Sequence, residues 1–146
     1  MTDALRALRD RLEIAEILAR YASAIDERDW DRLATCFTAD AVGDYAGAPP
    51  REGYAAIEAL CRRTLAPLDA SQHLVGSIEI ELQGDQARSR CAVQAQHTRR
   101  GLAEGENYLV GGTYQDAWVR TDEGWRIRRR RLQVLWQEGN PGVLGL

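Results

Sequence analysis

The 146-residue sequence contains no lysine; all 19 of its basic residues are arginine. Schiff-base and pyridoxal chemistry need a lysine amine, so both are excluded. Cysteine is scarce as well. Cys36, Cys61 and Cys91 are odd in number and far apart, which fits neither a disulfide framework nor a zinc-ligand pattern. They read as buried thiols. With two histidines and no Cys/His cluster, no metal site is expected. No apolar run approaches the roughly 18 residues of a membrane span. The opening Met1-Thr2-Asp3-Ala4-Leu5-Arg6 has helical spacing rather than the apolar stretch of a signal peptide. A cytoplasmic protein is therefore expected. The net charge of −3 gives no global field for nucleic acid or an anionic membrane, and neither is an expected partner.

What is present suits one globular domain over residues 1–146, with 45% hydrophobic and 28% charged residues. From about Asp3 to Asp26 the apolar residues recur with helical spacing. Leu8, Leu12, Ala15, Ala19 and Ala22 make one stripe, and Ile14, Leu18, Tyr21 and Ile25 the adjoining one. Asp29 is placed to cap a second short helix through Trp30, Leu33 and Phe37. Val42 to Ala46 reads as a short strand. Gly47, Pro49, Pro50 and Gly53 then break the chain before a third helix, Tyr54–Leu65. The remainder alternates as strands: Ser71–Gln83, a Gly84-Asp85 turn, Gln86–Thr98, Asn107–Arg120, and Trp125–Trp136. The spacing predicts an α+β fold, three helices packed on one face of a curved, mostly antiparallel sheet. The basic run Arg126 and Arg128–Arg131 reads chiefly as solvated sheet face. Arg88, Arg90, Arg128 and Arg130 suggest a polar interface there.

Few residues are candidates for chemistry. Asp26 extends the helical stripe of Ala15, Ala19 and Ala22. A carboxylate there meets both desolvation and the negative end of the helix dipole, so something must compensate it unless the helix frays first. His97 shares strand parity with Ala87, Ser89, Cys91, Val93 and Ala95, so it points inward. His73 opens the first long strand, where parity decides less. Either imidazole could equally be a hydrogen-bonded core residue. Tyr21 and Tyr45 could be ordinary core aromatics, and five residues separate Tyr21 from Asp26, which is not one helical face.

The segments Tyr21 to Leu33, Phe37 to Ala41, Ser71-Gln72-His73, Gly111-Gly112-Thr113-Tyr114 and Gly124-Trp125-Arg126-Ile127 resemble the SnoaL-like branch of the nuclear-transport-factor-2-like superfamily. The resemblance runs in order along nearly the whole chain. It implies a cone-shaped α+β barrel in which helices close a curved sheet around a pocket. The pattern is most similar to scytalone dehydratase, lindane dehydrochlorinase and bile-acid dehydratase, lyases with an Asp–His pair. The resemblance assigns that pair to Asp26 and His73, with Tyr45, His97 and Tyr21 as further catalytic residues. Tyr21 stands near the helix position where lindane dehydrochlorinase has a lysine, which argues against dehydrochlorination. A late arginine of that enzyme is matched to Arg120.

The implied activity is cofactor-independent removal of water from a small, cyclic, largely hydrophobic hydroxy-carbonyl compound. His73 would be the base, Tyr45 a donor to the developing enolate, and His97 the acid for the departing hydroxyl. Val93, Ala95, Leu109 and Val110 would line the pocket. Isomerisation or ring closure through the same enolate is the alternative, and a non-catalytic small-molecule-binding module a third. Relatives assemble through the outer sheet face, so a homo-oligomer, trimer or dimer, is expected.

Overall fold

The computed structural model describes all 146 residues. Helix α1 spans Asp3–Glu27 and begins where the Thr2 hydroxyl accepts the Leu5 amide. Arg28 ends it in the left-handed conformation, φ 59°. The Asp29 carboxylate caps the short helix α2, Trp30–Ala34, by accepting the Arg32 amide at 3.0 Å. Strand β1 then runs Phe37–Tyr45 and pairs with a two-residue strand β2, Arg51–Glu52. Helix α3 is Tyr54–Leu65. Four long strands follow: β3 Ala70–Gln83, β4 Gln86–Thr98, β5 Asn107–Thr121 and β6 Gly124–Gly139, with a 3-10 turn at Pro141–Leu144.

The six strands form one curved sheet in the order β2-β1-β6-β5-β4-β3. Strand β1 lies parallel to β6, and every other pair is antiparallel. The sheet is mixed and does not close, since its edges β2 and β3 are not paired with each other. The helices pack on its concave face. The parity read for β4 holds, with Ala87, Ser89, Cys91, Val93, Ala95 and His97 all buried. Residues directly opposite one another share a face. The register therefore extends that row set to Tyr108, Val110, Gly112, Tyr114, Asp116 and Trp118 of β5. Ile14, Ile17, Leu18, Tyr21, Ala24 and Ile25 of α1 join them in the core.

Three expectations are corrected. Phe37 belongs to β1, not to the second helix, because α2 stops at Ala34 and Cys36 is already bonded to the sheet through Ile127. Of the two helical stripes, the one with Leu8 and Leu12 lies outside until it reaches the buried Ala22: these leucines are 54% and 57% exposed. The buried stripe instead carries Asp10, whose carboxylate accepts two 2.8 Å bonds from Arg120 and one of 3.1 Å from the Trp125 indole. Those donors fix the rotation of α1, and the β-branched Ile14 and Ile17 follow Asp10 inward. Finally, Arg130 is not on the solvated face. A bulge pairs Ala117 with Arg129 but Trp118 with Ile127, leaving one extra residue in β6. Parity flips there, and Arg130 turns inside with no exposure.

Candidate active site

Asp26 sits in the last turn of α1, where the backbone carbonyls add negative potential. Three donors on the start of β3 offset this. One carboxylate oxygen accepts from the His73 Nδ1 at 2.7 Å and from the Ser71 hydroxyl at 3.0 Å; the other accepts from the His73 amide at 2.7 Å. The Ser71 hydroxyl in turn accepts from Arg28, whose guanidinium also binds the carbonyls of Ile25 and Asp26. The left-handed cap at Arg28 thus locks the helix end to the strand. Burial works to raise the Asp26 pKa, but the hydrogen bonds from His73 and Ser71 outweigh it and hold the carboxyl below its usual value. An ionised acceptor requires the proton on Nδ1 of His73, so that in the neutral imidazole the lone pair is on Nε2, which has no protein partner.

His73 lines a cavity of about 600 Å³ between the sheet, α1, α3 and the C-terminal turn. Across the register His73 is level with Ala95, Val110 and Gln137, and Ser71 with His97, Tyr108 and Gly139. The two imidazoles meet edge to face, 5.6 Å between centroids. His97 Nδ1 lies 3.0 Å from the Tyr108 carbonyl, to which it donates, so its Nε2 is also an acceptor. Burial, and then the neighbouring His73, push its pKa down to about 4. His97 is neutral near pH 7.

About 13 Å further along the strands, the wall changes character. Tyr21, Tyr45 and Tyr114 line the cavity here. The Tyr21 and Tyr114 hydroxyls are 3.5 Å apart, and the Tyr45 hydroxyl is buried without a partner. Burial pushes all three phenols well above their usual pKa, so they stay protonated. Gly43 makes room for this group, since a Cβ there would strike the Tyr45 ring at 2.6 Å. Behind the rings, the Arg130 guanidinium is stacked 4.0 Å from the Tyr21 centroid and 3.9 Å from that of Tyr114. Asp116 holds it through two 2.8 Å bonds, both side chains fully buried. One guanidinium nitrogen, Nη1, keeps no partner.

The structure thus brings Asp26, His73 and His97 together at one end of the cavity and Tyr21 and Tyr45 on its wall. Tyr21 does not reach Asp26; its hydroxyl neighbour is Tyr114. Of the expected lining residues, Val93, Ala95 and Val110 are present, whereas Leu109 has the opposite strand parity and lies outside. Arg120 is bound to Asp10 and Asp85 and is no part of the cavity wall. Tyr114, Asp116 and Arg130 were missed. Asp116 carried a usable signal, because it shares the inward parity of Tyr114 and Trp118 and therefore needs a buried cation. No group of three His, Cys, Asp or Glu side chains is arranged to hold a metal ion.

The profile of the SnoaL-like domain matches residues 6–131. The chain belongs to the SnoaL-like family. This family contains lyases and isomerases built on the nuclear-transport-factor-2-like fold. The chain is 36% identical over 122 residues to an uncharacterised protein of Mycobacterium tuberculosis, covering 83% of this chain and 82% of that one. Among solved structures it is similar to the Kfla4162 protein of Kribbella flavida, at 27% identity and a TM-score of 0.88, over 96% and 99% of the two chains. It shares its fold with a type 2 hexachlorocyclohexane dehydrochlorinase, at 20% identity and a TM-score of 0.84, over 96% and 95%. No helix is long and apolar enough to cross a membrane.

Proposed function

We propose that this protein is a cofactor-independent lyase, a dehydratase acting on a cyclic, largely hydrophobic hydroxy-carbonyl compound. The 2.7 Å contact between His73 and an ionised Asp26 on the cavity wall carries the reading. With Nδ1 committed to Asp26, Nε2 is the general base. It removes a proton from the carbon beside the substrate carbonyl. The electron pair moves onto the carbonyl oxygen as an enolate, and the Asp26 charge stabilises the imidazolium. Tyr45 and Tyr21 donate hydrogen bonds to the enolate oxygen. The Arg130 cation behind the rings of Tyr21 and Tyr114 favours negative charge in front of them. As the enolate collapses, the bond from the β-carbon to its hydroxyl breaks. The proton on His73 goes to the leaving oxygen, so water departs and the imidazole is neutral again.

His97 takes a different part from the acid expected of it. Held neutral, it accepts the O–H of the departing hydroxyl at Nε2 and orients it. The same observation favours a second reading. If His73 returns its proton to another carbon instead, the outcome is isomerisation.

The test is a panel of cyclic β-hydroxy ketones and thioesters followed by mass spectrometry. Loss of one water supports the lyase, and unchanged mass with a shifted double bond supports the isomerase. His73→Ala and Asp26→Asn should lower turnover on the order of 10²–10⁴-fold while the fold persists. Wild-type rates in either variant would refute the mechanism. Ligand binding with no conversion across the panel would leave a binding module.

A further inference from the structure

The proposed chemistry accounts for the histidines and tyrosines but not for the two arginines on the cavity wall. Arg51 of β2 and Arg63 of α3 both line it, and the wall contains no aspartate or glutamate. Neither arginine forms an ion pair or a side-chain hydrogen bond. The exposed arginines of the outer surface can meet water instead, and the enclosed ones elsewhere are paired, as Arg130 is with Asp116. Arg51 is half-buried, and its Nε is fully enclosed with no acceptor. A buried guanidinium N–H with no acceptor is a costly state that an arriving anion relieves.

Resting on the substrate reading above, we infer that the substrate carries a carboxylate, which Arg51 and Arg63 clamp at the mouth of the cavity. The pair is placed for this. Register puts Arg51 opposite Gly43, on the sheet edge that faces away from β3, where His73 stands. Arg63 comes from α3 and closes over the same cavity, beside Leu60 and Thr64. A ring lying on Val93, Val110 and Leu132 would then present its reacting carbon to His73 and its acid group to the arginines. A guanidinium pair on a wall without Asp or Glu side chains selects for charge as well as shape. Neutral rings of the same size should enter but be held less tightly.

Binding without turnover tests this independently of the lyase reading. Isothermal titration calorimetry would compare 2-naphthoate, its methyl ester and 2-naphthyl phosphate on the wild-type protein. The acid should bind about tenfold or more tightly than the ester, the factor that one charge-assisted hydrogen bond supplies. That preference should shrink as salt is raised. His73→Ala should keep it. The Arg51→Gln/Arg63→Gln variant should bind acid and ester alike, with ester affinity unchanged. Equal affinity of wild type for acid and ester, or a preference that survives in the double variant, would overturn the inference. So would tighter binding of the phosphate than of the acid.

Discussion

Two carboxylate–base pairs stand on the concave side of this sheet, one fully enclosed and one on the cavity wall. Asp116–Arg130 is fully enclosed and bidentate, and its cation cannot give up a proton near neutral pH. Asp26–His73 is a single side-chain contact on the cavity wall, and in the proposed mechanism its cation forms as His73 takes the substrate proton. One pair holds charge permanently behind a wall of tyrosines; the other, in the proposed reaction, carries it only in passing. Neutralising the first should damage the fold, and neutralising the second should cost the fold little beside its effect on the proposed chemistry.

The largest effect should follow from Asp116→Ala. It strands Arg130 without its counter-ion in a site that has no exposure, and a broken buried pair costs about 3–5 kcal/mol. Urea unfolding should show that loss as a lower midpoint with a similar slope. Replacing both partners by apolar residues of similar size should recover much of it. A single variant as stable as wild type would mean the pair is not the enclosed, obligate one described.

His97 gives the next largest effect. Folded, it takes up a proton at about pH 4; unfolded, near the ordinary histidine value of roughly 6.5. Between those values the unfolded chain binds the proton and the folded protein does not. Stability is therefore full above about pH 6.5, declines as pH falls towards 4, and loses on the order of 2–3 kcal/mol over that window. Asp26 has a lowered pKa, so its contribution is present above the unfolded carboxylate value of roughly 3.9 and fades only below it. The two windows are thus separable. His97→Asn should flatten the decline between pH 6.5 and 4 and leave the more acidic loss in place. An unchanged slope would show that other groups carry it.

Asp26→Asn should cost only about 1 kcal/mol, because the amide oxygen can still accept from the His73 amide while the amide nitrogen donates to the Ser71 hydroxyl. Its effect on turnover should be far larger, since the amide no longer fixes the tautomer or supports an imidazolium. A stability loss as great as that of Asp116→Ala would erase the distinction between the pairs.

The same contrast explains what could be read in advance. The inward direction of His97 was legible from strand parity, whereas His73 was picked out by the family resemblance, because parity decides less at the start of its strand. The start of α3 and the β3–β4 turn were legible from the Gly47–Gly53 breakers and from Gly84-Asp85. Arg130 was not. It lies in a run of four consecutive arginines, and its direction depends on one extra residue at the Ala117/Trp118 bulge. No period in the sequence marks that residue. The rotation of α1 was equally hidden, because Leu8 and Leu12 are as apolar as Ile14 and Leu18. What selects between the stripes is Asp10 finding Arg120, a partner 110 residues away.

That choice of stripe yields the smallest expected effect. Leu5, Leu8 and Leu12 make an apolar line on the outer face of α1, each more than half exposed. A substitution on a free helix surface shifts stability by no more than about 0.5 kcal/mol. Leu8→Gln should therefore leave the urea midpoint almost unmoved, while Ile17→Ala, one turn into the buried stripe, should cost about 2–5 kcal/mol. If Leu8→Gln instead costs as much as Ile17→Ala, the leucine line is covered in solution. Because glutamine keeps helix propensity nearly constant, the loss could then be assigned to burial against a second copy. Sedimentation of the variant at lower mass than wild type would identify that copy.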